Sequence, residues 1–143
     1  ADFPSGQRRH RAVAYCGPSV AGGHQKLAKR EGVYYTGYMI MAETNKFDEF
    51  IAQSNVPVLV DFYADWCGPC HMLSPILKDL KATWGDKIRL IKVDTEAHPD
   101  IAGRFQISGI PTLIMFQNGQ IVHRTSGVMP LQRLLAEYGR FVN

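Results

Sequence analysis

Pro57-Val58-Leu59-Val60-Asp61-Phe62-Tyr63-Ala64-Asp65-Trp66-Cys67-Gly68-Pro69-Cys70 runs from an apolar stretch straight into a Cys-x-x-Cys pair. Pro57 to Val60 reads as a buried strand, and Leu73, Ile76, Leu77, Leu80 and Trp84 then recur at helical spacing. The cysteines therefore sit where a strand hands over to a helix. The first turn of a helix presents unpaired backbone N–H groups and the positive end of its dipole, so a thiolate placed there is stabilised. On this reading Cys67 is the nucleophile, because only the thiolate attacks a disulfide. Cys70, one turn on, is the resolving thiol. Gly68 and Pro69 close a very small ring, and Pro69 stiffens it by fixing φ.

The same spacing also serves as half of a zinc site, which needs four ligands. Cys16 is the only other cysteine, and His71 adjoins Cys70 in a register pointing elsewhere. Dithiol exchange is the expectation, with no metal and no cofactor.

Working outward, Met39 to Glu43 reads as a short first strand, followed by a helix capped by Thr44 or Asn45 with Phe47, Phe50 and Ile51 on its inner face. After the Pro57 to Tyr63 strand comes a Cys67 to Trp84 helix interrupted by Pro75. Ile88 to Val93 is the next strand and Pro99 to Phe105 a short helix. Thr112 to Phe116 and Gln120 to Thr125 flank Gln117-Asn118-Gly119, a strong hairpin signal. Leu131, Leu134, Leu135 and Tyr138 mark a final helix over Pro130 to Val142. Alternating strands and helices closed by a hairpin predict an α/β fold, a central mixed β-sheet flanked by helices on both faces.

Trp66-Cys67-Gly68-Pro69-Cys70 resembles the active-site motif of thioredoxins, and the resemblance extends over about residues 39–143. It implies the thioredoxin fold and a protein-disulfide reductase activity. Asp61 matches the buried carboxylate that exchanges a proton with the resolving cysteine; burial inside an apolar run would raise its pKa and suit that task. Lys92 matches the lysine paired with it, although a solvent-facing strand lysine fits the residues equally well. Gly109-Ile110-Pro111-Thr112 resembles the family's cis-proline loop, which faces the disulfide and offers the Ile110 backbone to an extended peptide. Gly127 matches the glycine that lets a substrate chain lie close. Trp66, Gly68, Pro69, Ile110, Pro111 and Gly127 would thus form the substrate-binding surface.

Val60-Asp61-Phe62-Tyr63-Ala64 and Val122-His123-Arg124-Thr125-Ser126-Gly127 are most similar to chloroplast and cyanobacterial thioredoxins of the y and m types. That likeness implies the chloroplast stroma, with the mitochondrial matrix or bacterial cytoplasm as alternatives. It also implies protein disulfides as substrates and recharging by a thioredoxin reductase, ferredoxin- or NADPH-dependent.

The formal net charge of +3 comes from one end. Residues 1–40 hold six basic residues against two acidic ones, and the remainder carries ten against eleven. Six of the 13 glycines also precede residue 41, so this segment lacks the makings of a core. Residues 1–38 are read as a basic, Gly-rich N-terminal extension, a targeting segment or a docking arm, and residues 39–143 as the thioredoxin domain. The alternative function is a thioredoxin-fold subunit of a larger organellar assembly anchored by this extension. Six basic residues without interleaved aromatics are a thin footprint for nucleic acid. No apolar run reaches the roughly 18 residues of a membrane-spanning helix, so no membrane partner is expected. Cys16 reads as a free thiol in a loop, with a regulatory mixed disulfide as the rival.

Overall fold

A computed structural model describes residues 33–35, 38–40 and 44–143. Its strands are β1 (Val33–Tyr35), β2 (Tyr38–Ile40), β3 (Val58–Tyr63), β4 (Arg89–Asp94), β5 (Thr112–Gln117) and β6 (Gln120–Ser126). Its α-helices are α1 (Thr44–Ala52), α2 (Gly68–Trp84), α3 (Pro99–Arg104) and α4 (Leu131–Tyr138). The strands form one mixed sheet in the order β1-β2-β4-β3-β5-β6. β3 is parallel to β4 and antiparallel to β5.

β3 lies near the middle of the sheet, and Val58, Leu59, Val60, Asp61 and Phe62 are all buried. Strands covered on both faces read as continuous apolar runs rather than alternating ones. The two faces nevertheless separate by the pleat. Leu59, Leu90 and Leu113 pack with Leu73, Leu77 and Leu80 of α2 and Leu134 and Tyr138 of α4. Val58, Val60, Phe62, Ile91 and Val93 pack with Phe47 and Ile51 of α1 and Ile101 of α3. Asp61 shares the α2/α4 face with Leu59, as Lys92 shares it with Leu90. The sheet and its helical cover are those of the thioredoxin fold.

Boundaries move by a few residues, each for a local reason. α2 starts at Gly68 rather than Cys67, because Cys67 has the extended φ −84°, ψ 107° of a cap residue. Pro130 likewise caps the last helix, which ends at Tyr138 and tightens into a 3-10 turn over Gly139–Phe141. β4 begins at Arg89, one residue late, and reaches Asp94. At the start of the sheet the strand at Met39 spans Tyr38–Ile40, and β1 pairs with it antiparallel from upstream. Both segments are rich in β-branched and aromatic residues, which favour strands. The sheet therefore begins inside the segment assigned by sequence to the extension. Cys16, the rest of the extension and the expected strand residues 41–43 lie outside the described residues.

Asn118 and Gly119 close the β5–β6 hairpin with φ of 51° and 78°. Positive φ at both central positions matches the turn to the twist of the strands, and glycine adopts it without a Cβ clash.

Candidate active site

Cys67 and Cys70 are joined in a disulfide with Cα atoms 5.3 Å apart, inside the usual span for such a bridge. Local sequence builds this corner. Cys67 N–H donates to the Ala64 carbonyl at 3.2 Å and folds the chain after β3. Pro69 occupies the first turn of α2, where the missing N–H costs nothing. Cys67 Sγ then accepts the Cys70 N–H at 3.2 Å. A sulfur at the cap position is thus the atom that the helix N-terminus stabilises when negative. Cys67, Cys70 and Ala64 form a small buried cluster against Tyr63 and Ile110.

The Ile110–Pro111 peptide bond is cis, and the Ile110 carbonyl oxygen lies 3.9 Å from Cys67 Sγ. Gly127 N–H donates to the Pro111 carbonyl at 2.8 Å, with Gly127 at φ +87°. These contacts draw the end of β6 and the loop before β5 to the disulfide. A cleft of about 460 Å³ opens over it, with Trp66, Cys67, Gly68, Pro69 and Ile110 in its wall. Trp66 is 69% exposed, and its indole N–H donates to Glu96 Oε1 at 2.7 Å.

On β3, Asp61 is fully buried, and neither of its carboxyl oxygens has a hydrogen-bond partner among the described residues. Burial pushes its pKa up from 3.8 to about 6, with the nearby Lys92 opposing the rise. Lys92 is the β4 residue paired in register with Asp61, and its Nζ stands 3.9 Å from Asp61 Oδ2. The same ammonium donates to Ser74 Oγ at 3.4 Å and sits 4.4 Å from the Tyr63 ring centroid. Burial, with the carboxylates Asp94, Asp65 and Asp61 adding to it, pushes the Tyr63 hydroxyl up to about 12. Lys92 therefore faces a neutral ring.

Of the sequence-predicted residues, Trp66, Cys67, Gly68, Pro69 and Ile110 line the cleft, Cys70 is buried in its bond to Cys67, Pro111 and Gly127 are joined by their backbone hydrogen bond, and Asp61 and Lys92 form a pair on the sheet face that carries α2. Four participants escape a sequence reading. Glu96 sits two residues past β4, and Thr95, Ile107 and Ser108 line the cleft. The position of Ser74, four residues after Cys70, gives the helix face it shares and not its contact with Lys92 across the sheet. His71 donates from Nε2 to the Asp65 carbonyl at 2.6 Å, tying α2 to the loop that carries Trp66. Among the described residues no group of His, Cys, Asp and Glu has the makings of a metal site.

The thioredoxin family model matches residues 38–138. A chloroplastic thioredoxin Y of Oryza sativa subsp. japonica is 47% identical over 93 residues, which cover 65% of this chain and 55% of that protein. A thioredoxin-like protein of Synechocystis is 46% identical over 96 residues, covering 67% of this chain and 91% of its own. The crystal structure of oxidised mitochondrial thioredoxin 3 from Saccharomyces cerevisiae superposes with a TM-score of 0.65 at 30% identity, covering 71% of this chain and 92% of that one. The chain spans about half the length of the chloroplastic relatives, 55% and 54% of the first two.

Proposed function

The chain belongs to the thioredoxin family, and on that premise we propose that it is a thiol-disulfide oxidoreductase that reduces protein disulfides through Cys67 and Cys70. The observation that carries this is the disulfide at a helix N-terminus with Cys67 Sγ at the cap position. In the reduced protein the Cys67 thiolate attacks one sulfur of a substrate disulfide. A Cys67–substrate disulfide forms, and the other substrate sulfur leaves as a thiolate that takes a proton. Asp61 takes the proton of Cys70, whose thiolate attacks Cys67 Sγ. The second substrate sulfur leaves as a thiol, and the Cys67–Cys70 disulfide is regenerated. Two electrons pass to the substrate, leaving the bond seen here.

Trp66, Gly68, Pro69, Ile110, Pro111 and Gly127 form the contact surface for an extended peptide in this reading, the cleft above Cys67 being the support for it. Lys92 tunes Asp61 as its charge partner. The dithiol is recharged by a thioredoxin reductase, ferredoxin- or NADPH-dependent. The chloroplastic and cyanobacterial relatives support a chloroplast or a bacterial cytoplasm as its setting, and within a chloroplast the stroma is the compartment proposed. The rival role, a structural subunit of an assembly, is not favoured. Such a subunit needs neither the dithiol nor the buried carboxyl.

Reduction of insulin by dithiothreitol, followed as turbidity, tests the activity. The protein accelerates it and Cys67→Ser abolishes the acceleration. Acceleration retained in Cys67→Ser would refute the assignment.

A further inference from the structure

Among the described residues Lys92 Nζ meets three groups, and only one of them is Asp61. The ammonium donates to Ser74 Oγ at 3.4 Å, lies 4.4 Å from the centre of the Tyr63 ring and stops 3.9 Å from Asp61 Oδ2. A charge-assisted N–H···O bond to a carboxylate closes to about 2.7–2.9 Å. The pair is therefore in ion-pair range and short of hydrogen-bond contact, while both carboxyl oxygens lack a hydrogen-bond partner among the described residues. In-register pairing of β3 and β4 puts the two side chains side by side, so β-sheet geometry does not separate them. The hydrogen-bond acceptor of the ammonium comes from α2.

We propose that Ser74 is a positioning residue whose hydroxyl anchors the Lys92 ammonium beside, and short of, the Asp61 carboxyl, leaving that carboxyl free to exchange a proton. The proposal rests on the reading of Asp61 as the proton exchanger for Cys70. Ser74 stands on α2 one turn past Cys70, so the helix that carries the resolving thiol also sets the cation's place. A tight ion pair would hold Asp61 ionised, since an opposite charge close by favours the charged form. Held off, the carboxyl keeps the raised proton affinity that its burial confers.

Among the described residues the elements packed around Asp61 and Lys92 contribute these groups, with His123, Glu137 and Arg140 gathered by the end of α4 beside Tyr138. Tyr63, on β3 itself, is neutral. β4 adds Lys92 and, at its end, the partly exposed Asp94. β5 offers apolar Leu113 opposite Asp61. α4 contributes Tyr138, whose hydroxyl is taken up by Thr125 Oγ1 at 2.6 Å and the Leu113 carbonyl at 3.3 Å. α2 carries the disulfide and Ser74. Among the described residues Lys92 is the one cation in ion-pair range of Asp61.

The test is the titration of the Asp61 carboxyl carbon, followed by NMR in the oxidised protein. Ser74→Ala releases Lys92 to close on Asp61 and lowers the midpoint by about half a pH unit or more. Ser74→Thr keeps the hydroxyl and the wild-type midpoint. In a Lys92→Met background, Ser74→Ala has no effect. An unchanged or raised midpoint in Ser74→Ala, or an equal shift without Lys92, would overturn the proposal. Its failure is separable from that of the underlying reading. The latter fails if Asp61→Asn resolves a mixed disulfide at the wild-type rate across pH, whatever Ser74→Ala does to the titration.

Discussion

Asp61 is the residue at which function and stability pull apart. Its folded-state pKa of about 6 stands above the ordinary 3.8 because burial disfavours the charge. Between those values the folded protein keeps a proton that the unfolded chain has lost. The sign follows from linkage: the contribution of Asp61 to stability is fully present below about pH 4 and is lost as pH rises through about 6. At about 1.4 kcal/mol per pH unit, the loss comes to roughly 3 kcal/mol at neutral pH. Asp61→Asn removes the titration. The stability difference between variant and wild type, from urea unfolding, should therefore shift in the variant's favour by roughly 2 kcal/mol between about pH 4 and pH 7. A difference that stays constant with pH would contradict the burial of an ionisable carboxyl. Proton exchange near neutrality is what such a destabilised group supplies.

At this scale the sequence was legible where chemistry is local. Cys67 and Cys70 are read from their spacing, and the strand-to-helix handover from the apolar periods on either side. Glu96 was not legible, because its contact with Trp66 joins residues 30 apart through the end of β4. Ser74 was not either. A serine inside an apolar helix period carries no mark of what faces it from a strand 18 residues on.

Among the elements, the β5–β6 hairpin sets the place of Gly127 and so one wall of the site. Thr112 pairs with Ser126 in the ladder, and their hydroxyls meet at 3.1 Å. The register is fixed at the other end by the Asn118-Gly119 turn. Gly119 has φ +78°, and a Cβ built on it would meet only the Ala52 Cα at 3.9 Å, an ordinary contact. Conformation, not space, is what demands glycine. Gly119→Val should cost about 1–2 kcal/mol, measured as a lowered urea midpoint with the slope unchanged. An unaltered midpoint would show that the turn does not need positive φ there. Asn-Gly announced this turn in the sequence, whereas the ends of α2 and α4 did not announce themselves. Cys67 and Pro130 are extended cap residues that hydrophobic period alone includes in the helix.

Over the whole molecule, two apolar layers hold the sheet, and the redox corner sits at the end of its central strand. Phe105 joins Phe47, Phe62 and Phe116 in ring contacts on the α1/α3 side, while α2 and α4 cover the other. The four strands from β3 to β6 were legible along the chain because each apolar run had a turn or cap on both sides, whereas their order in the sheet, β4-β3-β5-β6, was not. The upstream edge was less so: Val33-Tyr34-Tyr35 lies in a glycine-rich, basic stretch whose composition argues against a core. Composition averages over a segment, and a strand needs only three suitable residues and a neighbour to pair with.

The central claim is that Cys67 attacks and Cys70 resolves. Cys70→Ser removes the resolving thiol and leaves the cap sulfur in place, so incubation with a disulfide-bonded protein such as insulin should stall at a mixed disulfide. Peptide mass mapping then reads which sulfur carries the adduct. The account predicts one substrate chain on Cys67 in Cys70→Ser and no stable adduct on Cys70 in Cys67→Ser. An adduct on Cys70 in Cys67→Ser, with none on Cys67 in its counterpart, would contradict it.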